Sequence, residues 1–296
     1  MIVLRVEHVQ RGLALWSLVA LLGCRSGTSV APESASTPPS AVAATAASEP
    51  ETAPRPSAPL LEPHDARGDD VPARLGSLAA HSVGAPLSSA EAVVVLLHGF
   101  GDRGDGLVEF ARGLVGADST LAAIALEARL PRSGGGRMWW PIDLERVRGA
   151  RERGDWPELE RLRPAGADEA RDAVLGALRE LQQRGVLRER LVLAGFSQGA
   201  MLAVDVGLGH PELLRGVVAF SGAVLDRDHW EQSAPAGVRF VVAHGQRDTV
   251  LPFAQGEALH SLLRRHDPHA RWVPFDGPHT ISPEGRTALL ELLRER

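Results

Sequence analysis

The chain has 296 residues, 44% of them hydrophobic and 23% charged, which is enough for one large domain or two small ones. Its 32 basic side chains are all arginine, and asparagine and tyrosine are also absent, a pattern that reports a GC-rich coding sequence rather than a function. A net charge of −5 argues against a general nucleic-acid binder, which needs a basic surface to displace counterions. The single cysteine, Cys24, excludes an intrachain disulfide framework and any cysteine-rich zinc site.

No apolar run reaches the ~18 residues that a membrane-spanning helix needs. The N-terminus carries a shorter one, Gly12 to Leu22, preceded by Arg5 and Arg11 and followed by Gly23-Cys24. Residues 1–23 therefore read as a secretory signal. Leu21-Leu22-Gly23-Cys24 resembles the lipobox of bacterial lipoproteins, where the cysteine is lipidated and becomes the first residue. That resemblance implies a protein held on a membrane of the bacterial cell envelope by acyl chains on Cys24. Ser26 to Pro63 is rich in Ala, Pro, Ser, Thr and Glu and has no apolar periodicity. Such a segment buries too little to offset its chain entropy, so residues 24–72 are expected to be a lipidated cysteine and a disordered tether. Residues 73–296 are left for the globular domain.

That domain alternates strands and helices. Ala92 to Leu97 is a short continuous apolar run, which predicts a strand buried on both faces. A helix is expected from Gly106 to Val115 and a strand from Leu121 to Leu126. Ala167 to Gln183 has the period of an amphipathic helix, with a stop at Gly185. A strand over Leu191 to Ala194, a helix over Gln198 to Leu208, and strands over Val217 to Phe220 and Val238 to Ala243 follow. Phe253 to His266 reads as helix, Arg271 to Phe275 as strand, and Pro283 to Arg294 as the closing helix. The alternation predicts an α/β fold with a mostly parallel sheet covered on both faces, and ligands beyond the carboxyl ends of its strands. Every candidate catalytic group falls just after a strand.

Gly195-Phe196-Ser197-Gln198-Gly199 fits G-x-S-x-G between a predicted strand and a predicted helix. The glycines permit a sharp turn that lifts a serine hydroxyl clear of the backbone, and the following helix aims its positive end at it. Ser197 is the candidate nucleophile. A serine needs a base, and the base an orienting acid. Asp248, in His244-Gly-Gln-Arg-Asp248, and His279, in Asp276-Gly-Pro-His279, occupy loops after later strands in the required order. His244, His266 and His269 are rival bases; His244 is expected to pack near its turn and the other two to be solvated. Asp267 and Asp276 are rival acids, and Ser221 is a strand-end serine without the elbow. An oxyanion hole takes one N–H from the residue after the nucleophile, Gln198, and a second from the loop after an earlier strand. His98-Gly99-Phe100-Gly101-Asp102 is that loop, with Phe100 the expected donor and His98 a loop-shaping residue. No metal ligand set is expected. Trp139 and Trp140, after a glycine run, are candidates for an acyl-binding wall, with core packing as the competing explanation. The charge-dense stretch Arg146 to Arg163 reads as a cap or a solvated surface helix.

Taken together, His98-Gly-Phe-Gly-Asp102, Gly-Phe-Ser197-Gln-Gly, His244-Gly-Gln-Arg-Asp248 and Gly-Pro-His279 resemble the phospholipase/carboxylesterase family of α/β-hydrolases, which includes acyl-protein thioesterases. The resemblance covers about Glu91 to the C-terminus. It implies an α/β-hydrolase three-layer sandwich, no cofactor, a Ser197-His279-Asp248 triad with Phe100 and Gln198 at the oxyanion hole, and an acyl ester or thioester substrate. The family's thioesterases are mostly cytosolic, whereas this chain carries an export signal, so the substrate is not carried over with the fold. Lysophospholipase, peptidase or lactonase chemistry on the same triad stays open, as does a non-catalytic surface lipoprotein that binds a ligand on this scaffold.

Overall fold

The computed structural model describes residues 71–233 and 237–295. The expected signal segment, Cys24 and nearly all of the tether lie outside the described residues. The first described elements are two antiparallel strands, β1 (Arg74–Leu75) and β2 (Leu78–Gly84). The order then runs β3 (Ala92–Leu97), α1 (Val108–Ala117), β4 (Leu121–Glu127), β5 (Leu130–Pro131), β6 (Arg137–Met138), α2 (Leu144–Arg153), α3 (Trp156–Glu160) and α4 (Ala167–Gln183). It continues with β7 (Leu191–Phe196), α5 (Gln198–Gly209), β8 (Gly216–Phe220), α6 (Arg227–Gln232), β9 (Arg239–Gly245), α7 (Phe253–Leu263), β10 (Arg271–Phe275) and α8 (Pro283–Arg294).

Eight of these strands form one sheet in the order β1-β2-β4-β3-β7-β8-β9-β10, parallel from β4 to β10 and antiparallel at the β1–β2–β4 edge. The period of two explains why its central strands are apolar throughout. In β3, Val93, Val95 and Leu97 enter one core while Ala92, Val94 and Leu96 enter the other. The first core is closed by α4, α5 and α7, and the second by α1 and α8. Each buried Val or Leu contributes roughly 1.5–3 kcal/mol over its exposed state, so two continuous layers fix the strand register. The architecture is an α/β-hydrolase sandwich.

Helix α4 shows how directly the sequence reaches the structure. Ala170, Ala173, Val174, Ala177, Leu178 and Leu181 recur every three to four residues and are all buried. Asp168 and Glu169 sit in the first turn, against the positive helix end. Gly185 follows the last turn at φ +90°, a conformation glycine adopts without steric cost. Its observed span matches the expected one, as do those of β3, β10 and α8. Four departures are informative. The elements β1, β2, β5 and β6 were not legible, because three of them are two residues long and the seven-residue β2 is mostly half-buried small and polar residues with little periodic signal. Helix α1 starts at Val108 rather than Gly106, since Asp102 first captures the Gly104 and Gly106 N–H groups in a loop. Helix α7 ends at Leu263, three residues early. His266, expected to be solvated, is buried in the turn that follows; desolvation there lowers its pKa.

Candidate active site

The carboxyl ends of β3, β7, β8, β9 and β10 form one rim, and the candidate residues project from it. Ser197 joins β7 to α5 with φ +54° and ψ −114°, a sparsely populated conformation for a residue with a side chain. The crowding around it explains the glycines. A Cβ on Gly195 would stand 2.1 Å from the Gly199 carbonyl oxygen, and one on Gly199 2.2 Å from that of Leu97. Only bare backbone fits between β7, the start of α5 and β3. The Ser197 N–H donates to the Phe220 carbonyl at 2.9 Å, which ties the strained residue to β8. Its hydroxyl has no hydrogen-bond partner among the described residues.

Asp248 and His279 are brought together by backbone contact between their loops. The Gln246 and Arg247 N–H groups donate to the Phe275 and Gly277 carbonyls. At Gly245 a Cβ would meet the Gly277 and Pro278 carbonyl oxygens at 2.3 and 2.5 Å. With the loops in register, His279 Nδ1 lies 2.6 Å from Asp248 Oδ2. The other carboxylate oxygen, Oδ1, accepts the Val250 and Leu251 N–H groups, both at 2.8 Å. Burial alone would raise the Asp248 pKa, but hydrogen bonds from His244, His279 and the Leu251 N–H outweigh it and hold the carboxyl far below the usual carboxylate range. The His279 ring lies 4.8 Å from that of Phe196, the residue before Ser197, so the imidazole sits at the elbow.

The rivals are otherwise engaged. Asp276 pairs with Arg247 at the surface. Asp267 is buried and accepts the Phe240 and His269 N–H groups. Ser221, also at positive φ, donates from its hydroxyl to the Thr280 carbonyl at 3.2 Å and so braces the loop that carries His279.

On the opposite wall, the backbone amides of Phe100 and Gln198 have no acceptor among the described residues. Between these loops lies Gly99, where a Cβ would stand 3.5 Å from Ser197 Cβ. His98 shapes this loop. Its Nδ1 donates to the Gly99 carbonyl at 2.8 Å and its Nε2 accepts the Ala128 N–H at 3.0 Å. Desolvation lowers its pKa, which suits a ring that must stay neutral to accept. The position of Gln198 in the motif points to its backbone N–H and carries no signal for its side chain. That side chain is buried, accepts the Trp139 N–H at 2.9 Å and donates to the Trp140 carbonyl at 2.8 Å. Trp139 Nε1 donates to the His98 carbonyl at 2.9 Å. Both tryptophans are buried and belong to the first core. The β5–β6 hairpin before them leans on the same loop, with Gly101 N–H donating to the Arg137 carbonyl at 2.8 Å. Beyond them, α2 and α3 are held to the body through Arg163, which binds the buried Asp205 of α5 at 2.8 Å, and through the Arg227–Glu160 pair.

Residues 78–294 match the model of the phospholipase/carboxylesterase family. Acyl-protein thioesterase 1 of Eremothecium gossypii is 32% identical over 134 residues, which is 44% of this chain and 57% of that protein. Acyl-protein thioesterase 1 of Gibberella zeae is 24% identical over 71% of this chain and 92% of its own length. Among solved structures, esterase PE8 superposes with a TM-score of 0.61 at 28% identity, over 73% of this chain and 98% of its own. A carboxylesterase from Mesorhizobium loti gives 0.58 at 22% identity over 74% and 95%, a likeness of fold.

Proposed function

The chain belongs to the phospholipase/carboxylesterase family of α/β-hydrolases, and from that premise we propose that it hydrolyses carboxylic esters through Ser197, His279 and Asp248. The observation that carries the reading is the 2.6 Å contact between His279 Nδ1 and Asp248 Oδ2 beside a serine held at φ +54°. The Ser197 hydroxyl adds to the acyl carbonyl carbon as its proton passes to His279 Nε2. Asp248 holds the imidazole in the tautomer that can accept and offsets the charge it gains. The oxyanion that forms is met by the Phe100 and Gln198 N–H groups, each such donor typically worth roughly 3–4 kcal/mol of barrier. Collapse breaks the bond to the leaving alcohol, which takes the proton from His279. Water then attacks the acyl-enzyme, again giving its proton to His279, and the acid departs as Ser197 is restored.

The free Ser197 hydroxyl fits this scheme, because catalytic hydrogen bonds often close only when substrate is bound. Trp139 and Trp140, both buried in the first core as the competing explanation had it, are assigned to the layer behind the oxyanion loop, which they hold in place for the acyl group. Thioesters are a natural extension, given that several relatives are named acyl-protein thioesterases. The lipobox at Cys24 would place the enzyme on an envelope membrane; release of a Cys24→Ala variant into the soluble fraction is the result that reading requires.

A fluorophosphonate probe tests the central claim. Wild-type protein is expected to be labelled, and Ser197→Ala is expected not to be. Absence of labelling in the first, or equal labelling in the second, overturns the mechanism.

A further inference from the structure

Asp248 is approached by two imidazoles. His279 takes Oδ2 from the solvent side at 2.6 Å. His244, fully buried at the end of β9, brings its Nε2 to 3.3 Å from the same oxygen. That nitrogen also lies 2.9 Å from the Leu251 carbonyl, which can only accept, so Nε2 carries the proton and shares it between the two oxygens. The Leu251 N–H, in turn, donates to Asp248 Oδ1. One histidine thus braces both the carboxylate and the turn that presents it. The other ring nitrogen, Nδ1, is buried with no partner among the described residues. An orphaned buried nitrogen costs free energy, which an apolar side chain of the same shape would avoid. Helix α7 accommodates the ring by placing Gly256 against it, where a Cβ would stand 2.5 Å from both Cγ and Nδ1.

We infer that His244 is a positioning residue for the Asp248–His279 pair, acting through the hydrogen bond behind the carboxylate. The inference rests on the triad reading above. The other titratable groups on the surrounding elements do not reach Asp248: Arg247 and Asp276 pair with each other, His260 of α7 bonds the Ala270 carbonyl, and Glu257 of α7 is exposed. Removing the N–H behind Oδ2 leaves more negative charge facing His279 and favours the imidazolium. The acid limb of the kcat/KM profile therefore moves to higher pH, and kcat falls.

The test compares wild type, His244→Gln and His244→Phe on p-nitrophenyl acetate across pH, with thermal unfolding of each. Glutamine keeps an N–H₂ able to serve both oxygens, whereas phenylalanine keeps only the ring shape. His244→Phe is expected to move the acid limb up by about half to one pH unit. Its kcat should fall on the order of tenfold, as loss of one hydrogen bond to a charged group would give, with KM unchanged. His244→Gln should restore most of both. Where His244→Phe does not fold, Gly256→Ala displaces the imidazole without removing it and should move the limb in the same direction. A folded phenylalanine or Gly256→Ala variant with a wild-type limb, or a glutamine variant shifted as far as phenylalanine, overturns the inference and leaves the triad standing. Wild-type rates in Asp248→Asn would instead overturn the triad reading.

Discussion

The two walls of the site are built on different principles. The elbow at Ser197 is crowded backbone: within five residues, two glycines stand where a Cβ would come within 2.2 Å of a carbonyl oxygen. The wall behind the His98–Asp102 loop is assembled from side chains that reach across the chain, with Gln198 gripping Trp139 and Trp140 at sequence separations of 59 and 58. A crowded turn has one arrangement or none, because a clash with backbone finds no rotamer to relieve it. A wall of side-chain hydrogen bonds can lose a member and relax. Ser197 should therefore be intolerant of neighbouring change, while the wall held by Gln198 should be adjustable.

The largest effect expected from this contrast is at Gly199. Adding a methyl there meets the Leu97 and His98 carbonyl oxygens at 2.2 and 2.6 Å. Gly199→Ala should cost about 4 kcal/mol or more, in the exceptional class of single substitutions, and should be visible as lost soluble yield or a collapsed urea midpoint. A variant of wild-type stability would mean that the elbow relaxes and that the contrast fails.

A smaller effect is expected at Gln198. Gln198→Ala keeps the backbone N–H but leaves the Trp139 N–H and the Trp140 carbonyl unpaired, at about 1–3 kcal/mol for each orphaned group. The protein should still fold, and on p-nitrophenyl esters of rising chain length the long acyl groups should suffer more than acetate. Equal losses on all chain lengths would detach the Trp139–Trp140 layer from the proposed acyl-binding role.

The subtlest effect is pH-dependent and belongs to His98. Its folded pKa lies below the 6.5 of the free side chain because burial disfavours the charged ring. The unfolded chain thus binds the extra proton first, so stability falls as pH drops below about 6.5 and levels off once the folded form also protonates. Protonation turns Nε2 into a donor facing the Ala128 N–H, so the hydrogen bond that ties the His98–Asp102 loop to Ala128 is lost. His98→Gln, with an amide oxygen to accept that N–H, should flatten the melting temperature between pH 7 and 5 relative to wild type. A parallel pair of curves would show that the loop does not sense His98.

How much of this was legible in the sequence follows the same division. Spans set by apolar periodicity, such as β3 and α4, were read with their observed bounds, because burial on a helix stripe or on both faces of a strand leaves a periodic trace. The placement of Ser197, Asp248 and His279 just after β7, β9 and β10 was legible too, since a strand, a turn and the residue after it are neighbours in sequence. The partners of His244, His98 and the Gln198 side chain were not legible. His244 and Asp248 are four residues apart in a motif that marks the acid, yet nothing in that motif says that the histidine points back at the carboxylate. His98 finds Ala128 just past the end of the neighbouring β4, and Gln198 finds the tryptophans that follow the β5–β6 hairpin. Sequence by itself determined the parallel α/β sheet and which loops stand at the carboxyl ends of its strands, because those depend on local period and turn residues. Only the tertiary structure decided which polar groups face one another, because hydrogen bonds between distant segments depend on packing and leave no period along the chain.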